Sequence, residues 1–148
     1  MYQEGTILYF TPFYFKNGNT AKNKYFVVLK NIDNQSVLAS LPTRRDNIPA
    51  KDTIENGCVE LPSINLNCFV FSENLEVTTN NKKFEFPTHI YGHQLDSFDL
   101  GNMKDLYQVE DLDYEVWGQM KNELFLRLID CLKKSFAVKR KYKRLLST

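Results

Sequence analysis

A small set of side chains in this 148-residue chain has the chemistry to bind a phosphate and to move a proton. His93 suits acid–base work because the unperturbed pKa of histidine, about 6.5, lies near neutral pH. Arg44 and Arg45 can each hold a phosphate through paired hydrogen bonds, and Thr43 adds a hydroxyl donor beside them. Lys24 supplies a further positive charge. These residue types suit phosphate-ester chemistry that needs no metal ion.

Each of these residues also has a purely structural interpretation. His93 could be a strand-end histidine bonded to the backbone. Thr43, Arg44 and Arg45 lie between two prolines and could form an ordinary surface turn. An ion pair within such a turn would stabilise the chain by less than about 1 kcal/mol. Residue type alone therefore leaves both interpretations open.

Aromatic and basic residues near the N-terminus could bind unpaired bases. Phe13 belongs to a dense aromatic run, and the polar segment 16–24 that follows predicts an exposed loop carrying Lys16, Lys22 and Lys24. Stacking of a base on an aromatic ring is worth about 1–3 kcal/mol, and the lysines would neutralise phosphates. Aromatic clusters more often belong to a core, so Phe13 is a candidate for either role.

The charge is unevenly distributed along the chain. Lys and Arg number 19 and Asp and Glu 18, but residues 133–148 hold seven of the cations and no acid. The rest of the chain therefore carries 12 cations against 18 acids. A basic tail favours a nucleic-acid partner because it releases counterions from phosphates. A solvated helix end or an acidic protein partner would explain the same pattern.

Cysteine and histidine usage argues against a metal site. The three cysteines are widely spaced and form no close pair, and the chain has only two histidines. We interpret the cysteines as small apolar fillers and expect no cofactor. The first residues lack the features of a signal peptide, and no apolar run approaches the roughly 18 residues of a membrane span. These patterns predict a cytoplasmic protein with no membrane contact.

Strand signals dominate the first two thirds of the chain. β-branched and aromatic runs separated by polar turns predict strands, of which the first three form an antiparallel meander. The predicted strands are 6–15, 25–30, 37–41, 57–61, 67–71, 84–86 and 88–95.

The last third changes its period. From Val116 to Leu132 apolar residues recur every three or four positions, which predicts an amphipathic helix of roughly five turns. Asp111 or Asp113 would cap its start. The fold expected for residues 1–148 is one domain, mainly antiparallel β, built as a small barrel or sandwich covered by this helix and ending in the basic helical tail 133–148.

Three segments follow one another in an order and spacing that resemble the PemK/MazF family of toxin endoribonucleases. The first joins residues 5–13, a polar loop and residues 24–29, and is similar to the family's Gly-Asp-Ile opening, basic loop and Arg-Pro-Val-Val strand. The second, 37–43, is similar to a hydrophobic strand ending in threonine. The third, 88–99, is similar to the strand that precedes Asp-Gln-hydrophobic-Arg-Thr-hydrophobic-Asp. The stretch 46–83 is longer than in typical members.

The resemblance implies an SH3-like barrel, usually a homodimer, acting in a toxin–antitoxin pair. Such toxins cut single-stranded RNA without a metal and are blocked by an acidic antitoxin in the RNA groove. The family's catalytic arginine falls on Lys24, its threonine on Thr43, and an aspartate of some members on His93. Lysine offers a point charge in place of a planar fork, so this difference is not conservative. The alternative is a non-catalytic barrel that binds nucleic acid or a protein partner.

Overall fold

The computed structural model describes residues 2–41, 57–64, 66–85 and 87–148. Over these ranges the backbone forms strands, α-helices and two short 3-10 turns. In chain order they are β1 (Thr6–Phe13), β2 (Lys22–Ile32), β3 (Gln35–Leu41), β4 (Gly57–Leu61), the turn Pro62–Ile64, β5 (Leu66–Phe71), β6 (Thr88–Tyr91), the turn Gly92–Gln94, β7 (Leu95–Asp99), α1 (Leu100–Leu106), β8 (Tyr114–Gln119), α2 (Asn122–Lys134) and α3 (Arg140–Leu146).

The larger of two sheets has the strand order β7-β3-β2-β1-β8, and all its pairs are antiparallel. The predicted meander of the first three strands is confirmed. The smaller sheet has the order β4-β5-β6 and is also antiparallel. The fold is thus mainly β with helices at its C-terminal end, as expected. Across the parts of the chain that the structure describes, the strand pairing closes no barrel.

Both faces of the larger sheet are buried, which explains why its central strand β2 is continuously apolar from Tyr25 to Leu29. Successive side chains of a strand point to opposite faces, so Val27 and Leu29 belong to one core and Phe26 and Val28 to the other. The first core lies between the larger sheet, the smaller sheet, α2 and α3. The second core is covered by α1, through Met103, and by Tyr107 and Tyr114.

The helix predicted from Val116 onward begins later than expected. Residues 114–119 are strand β8, which pairs with β1, and α2 begins at Asn122. The free edge of β1 offers this segment a ladder of backbone hydrogen bonds, and over a short stretch periodicity does not separate strand from helix. The proposed caps are also wrong. The Asp113 carboxylate accepts hydrogen bonds from the Gln108 and Val109 backbone, and Lys121 is the residue before α2.

The single strand predicted at 88–95 is two strands in different sheets. β6 pairs with β5 in the smaller sheet, whereas β7 pairs with β3 in the larger one, and the 3-10 turn Gly92–Gln94 joins them. Phe84, predicted to begin a strand, instead packs into the first core outside any strand, its ring 4.7 Å from that of Trp117. Phe86 lies outside the described residues.

Two of the three cysteines are not simple fillers. Cys58 on β4 and Cys131 on α2, 73 positions apart, form a disulfide with their Cα atoms 5.6 Å apart. Cys68 alone is a free, buried thiol. The cysteine pattern therefore no longer argues for a reducing compartment. None of the helices in the described ranges is long and apolar enough to cross a membrane.

Candidate functional site

Three strand ends of the larger sheet meet at one edge. β2 begins at Lys22, β3 ends at Leu41 and β7 begins at Leu95, and these strands are antiparallel neighbours in the order β7-β3-β2. The register pairs Tyr25 with Leu41 and Ala39 with Leu95. The start of β2, the end of β3 and the start of β7 therefore lie side by side, about 5 Å from strand to strand.

A cavity of about 240 Å³ opens at this edge, on the face of the second core. Phe26 and Ser40 are paired across β2 and β3, and Asp96 lies on β7 opposite Leu38. The residues that line this cavity are aromatic on its floor and polar on its rim: Phe13, Phe15, Lys16, Asn17, Phe26, Ser40, Gln94, Asp96 and Phe98. We call it the aromatic pocket. Its volume is below the roughly 300–1,000 Å³ of pockets for drug-sized ligands, so it suits one planar ring.

The floor of the aromatic pocket is a packed ring cluster centred on Phe13. Its ring centroid lies 4.4 Å from that of Phe26, 5.3 Å from that of Phe15 and 5.7 Å from that of Phe98. Edge-on and tilted pairs of this kind stabilise an aromatic cluster by about 0.5–1.5 kcal/mol each beyond burial. The floor is therefore rigid and presents ring edges and faces to an incoming group.

Lys16 forms one side of the pocket. Its Nζ lies 3.2 Å from Asp96 Oδ1 and 4.3 Å from the Phe98 ring centroid, and it also donates to the Ser97 carbonyl. Lys16, which was predicted to lie in an exposed loop, therefore binds two residues at the start of β7. Because both charged groups are about half exposed, solvent screens their attraction.

A second cavity of about 260 Å³ shares Phe13, Phe15, Lys16 and Phe98 with the first. Tyr14 and Tyr107 line it, their rings stacked with centroids 5.9 Å apart. The Tyr14 backbone N–H donates to the Tyr107 hydroxyl, and burial is the main cause that raises the pKa of Tyr107. Lys16 and the shared aromatic rings thus line both cavities.

His93 lies on the turn Gly92–Gln94 and is exposed. Its ring centroid is 5.4 Å from that of Tyr91. The next residue, Gln94, lines the aromatic pocket, whereas His93 does not. The turn is held by close packing, since a Cβ added at Gly92 would lie 2.5 Å from Asn67 Oδ1 and 2.9 Å from Val138 Cγ2.

The other predicted residues differ in their relation to the aromatic pocket. Lys24 is partly exposed near the start of β2, two residues before Phe26, so alternation directs it to the face of the pocket. The Lys22 Nζ lies 5.8 Å from the Phe15 ring centroid, at the pocket's side. Phe13 is only 2% exposed, so Phe15 and Tyr14 are the better placed rings for stacking. The remaining group, Thr43, Arg44 and Arg45, lies outside the described residues.

The sequence analysis missed the contact between α3 and the pocket. The Tyr142 hydroxyl on α3 donates to Asp96 Oδ1 over 3.4 Å, and the Lys141 ammonium lies 5.0 Å from the Tyr142 ring centroid. Ser40, Gln94 and Asp96 were missed as well, because only strand pairing reveals that they share a pocket. No local signal in the sequence joins positions 96 and 142.

Within the described ranges, no group of three or more His, Cys, Asp or Glu side chains could hold a metal ion. Comparisons with protein-family models, curated proteins and solved structures found no match.

Proposed function

We propose that this protein is a metal-independent endoribonuclease that acts on single-stranded RNA, with one unpaired base held in the aromatic pocket. The observation that carries the proposal is the meeting of three strand ends at that pocket. Lys24 and His93 belong to two of these ends, and Thr43 and Arg44 follow the third. Aromatic rings beside lysines suit unpaired bases, whose faces are exposed and whose phosphates are anionic.

The reaction we propose is attack of a ribose 2′-oxygen on the adjacent phosphorus. A base takes the 2′-proton, the new O2′–P bond forms, and the P–O5′ bond breaks while an acid protonates the leaving 5′-oxygen. His93 is the proposed acid–base group. Lys24 and Arg44 stabilise the charge on the phosphorane, with Thr43 as a hydroxyl donor. Gln94 and Ser40 offer the base edge hydrogen-bonding groups inside the pocket.

The wider role follows the family resemblance. We propose a toxin of a toxin–antitoxin pair that acts as a homodimer, folds as an SH3-like barrel and is blocked by an acidic antitoxin over the RNA groove. Lys16, Lys22 and Arg45 are the proposed RNA-backbone contacts, and Phe15, packed on the buried Phe13, is the proposed stacking ring.

Cleavage of a mixed-sequence single-stranded RNA in EDTA tests the proposal. Wild type should cut, whereas His93→Ala should be slower by about 10²–10⁴-fold, the usual contribution of general acid–base catalysis. Lys24→Ala, Thr43→Ala and Arg44→Ala should each slow cleavage, and the exposed control Lys83→Ala should not. Equal rates in all five variants would remove the proposed site, and absence of cleavage by wild type would remove the activity.

A second candidate is an RNA-binding protein without nuclease activity. It is favoured by the exposure of His93 outside the pocket lining and by a lysine at position 24, which offers a point charge in place of the family's planar arginine. Retention of RNA that weakens steeply with salt, without cleavage at any pH, would select this candidate.

A further inference from the structure

The basic C-terminal segment lies against the rim of the aromatic pocket. Asp96, a lining residue, accepts the hydrogen bond from Tyr142 of α3. Lys141 in turn lies over the Tyr142 ring. The first turn of α3 is therefore a direct neighbour of the pocket, although some 45 residues separate the two in sequence.

A second contact connects the same region to His93. Gly92 packs on Val138 so closely that an added Cβ would come within 2.9 Å of Val138 Cγ2. Val138 is buried in the first core and immediately precedes Lys139. The turn that carries His93 and the start of α3 thus share one packing contact.

One face of α3 is anchored in the core and the other is uniformly basic. Tyr142 and Leu146 are buried, whereas Lys139, Arg140 and Lys141 are exposed. No acidic residue occurs from 133 to 148. A core-anchored helix fixes the backbone from which its cations project, so less backbone freedom is lost when they bind an anion.

An exposed aromatic ring lies in the same C-terminal segment as these cations. Phe136, 74% exposed, lies in the connection between α2 and α3. This connection is held in place because Ser135 Oγ and the Phe136 N–H both donate to Glu60 Oε1, and Lys143 Nζ donates to the Ser135 carbonyl. An exposed ring on an anchored backbone, close in sequence to several cations, suits single-stranded nucleic acids, which are bound through base stacking and phosphate contacts.

We propose that Lys139, Arg140 and Lys141 bind the phosphates of an RNA strand that extends out of the aromatic pocket, and that Phe136 stacks on one of its bases. This inference rests on the proposed RNA substrate and adds a second contact region, which we call the α3 track. A strand occupying both regions would be longer than the pocket alone accommodates, so the α3 track would select longer single strands over short oligonucleotides.

Two measurements with matched controls test the α3 track. The first is the salt dependence of binding to a single-stranded RNA of about 12 nucleotides. In a plot of log affinity against log salt concentration, Lys139→Gln/Lys141→Gln should make the slope shallower by about 1.4, since each phosphate contact on a single strand contributes about 0.7. This change corresponds to a roughly 25-fold lower affinity at about 0.1 M salt. The double control Lys83→Gln/Lys104→Gln removes the same charge from exposed sites elsewhere and should leave the slope unchanged.

The second measurement isolates stacking. Phe136→Ala should weaken binding of the same RNA about fivefold or more. Leu126→Ala removes a comparably exposed apolar side chain from α2 and should have no effect. Unchanged melting temperatures would show that each variant retains its fold.

The outcomes separate this inference from the proposed function. If a dinucleotide shifts the NMR signals of Ser40 and Gln94 while the α3 variants bind long RNA like wild type, the pocket stands and the α3 track is wrong. If wild type binds neither the dinucleotide nor the longer RNA, both proposals fail. If the α3 variants lose binding to a polyglutamate peptide and keep full RNA affinity, the basic face belongs to an acidic protein partner and the RNA assignment is overturned.

Discussion

The Tyr142 hydroxyl donates a hydrogen bond to Asp96 Oδ1 over 3.4 Å, and through this contact the C-terminal helix reaches the rim of the aromatic pocket. The same carboxylate oxygen lies 3.2 Å from the Lys16 ammonium, which belongs to the segment between β1 and β2. One acidic side chain therefore joins three parts of the chain that are far apart in sequence. It also places a negative charge where an RNA phosphate would approach.

Removing that charge should strengthen RNA binding. Asp96→Asn takes away a carboxylate that repels phosphate and leaves Lys16 available for it, so affinity should rise about fivefold at about 0.1 M salt, equivalent to one phosphate contact. Because the Lys16–Asp96 pair is half exposed, the free energy of unfolding should change by about 1 kcal/mol or less. Anisotropy titrations measure the affinity. The control Asp130→Asn, which breaks the exposed ion pair with Lys134, should leave RNA affinity unchanged. Weaker RNA binding by Asp96→Asn than by wild type would contradict the prediction.

Filling the aromatic pocket should block base binding. Ser40→Leu adds bulk to a lining position that is only partly buried, so we expect RNA affinity to fall by about tenfold or more through loss of a stacked and hydrogen-bonded base, at little cost in thermal stability. Asn23→Leu adds similar bulk at an exposed position of β2 and serves as the control. Equal RNA affinities of Ser40→Leu and Asn23→Leu would show that the base binds outside the aromatic pocket.

The Cys58–Cys131 disulfide should stabilise the protein. It closes a loop of 73 residues, for which the loss of unfolded-state entropy corresponds to about 4 kcal/mol. Chemical denaturation of wild type with and without reductant should show a difference of this order, and Cys58→Ser should be insensitive to reductant. Titration of the unfolded, unreduced chain should find only the Cys68 thiol. Reaction of all three cysteines would show that the bridge does not form in solution.

The alkaline stability of the fold should depend on Cys68. Burial raises the pKa of this thiol from 9.0 to about 11. A group whose pKa is higher in the folded than in the unfolded state stabilises the fold fully at pH values below its unfolded-state pKa. This contribution is lost as the pH increases toward its folded-state pKa. Relative to Cys68→Ala, wild type should therefore lose stability between about pH 9 and pH 11. Denaturant titrations at several pH values measure this difference, and a constant gap between the two proteins would contradict it.

The buried face of α2 should provide most of this helix's contribution to the free energy of unfolding. Leu128 is fully buried in the first core, so Leu128→Ala should cost about 2–5 kcal/mol through lost burial and a cavity. Leu126 lies two residues earlier and is 58% exposed, so Leu126→Ala should change the free energy of unfolding by about 0.5 kcal/mol or less. Urea denaturation compares the two, and equal losses would mean that the helix is oriented differently.

Much of the strand content follows from local pattern. Gly57–Leu61 was predicted with its observed bounds, and the third strand ends at Leu41 as expected, because apolar runs there are bounded by turn residues. The amphipathic period also identified the core of α2. At Val116 the same period predicted the wrong element, because pairing with β1 outweighs a local helix preference.

Local residue patterns are sufficient to identify the strand-forming runs, an amphipathic helix, a basic tail, and the histidine, lysines and aromatic rings from which a phosphate-binding site could be built. Which of these side chains meet depends on the packing of the folded chain. Strand order brings Lys24 and His93 to one edge of the sheet, the turn at Gly92 divides one predicted strand between two sheets, and packing of α3 joins Tyr142 to Asp96. Local preferences act over a few residues, whereas these contacts span tens of positions and depend on burial that no single segment achieves alone.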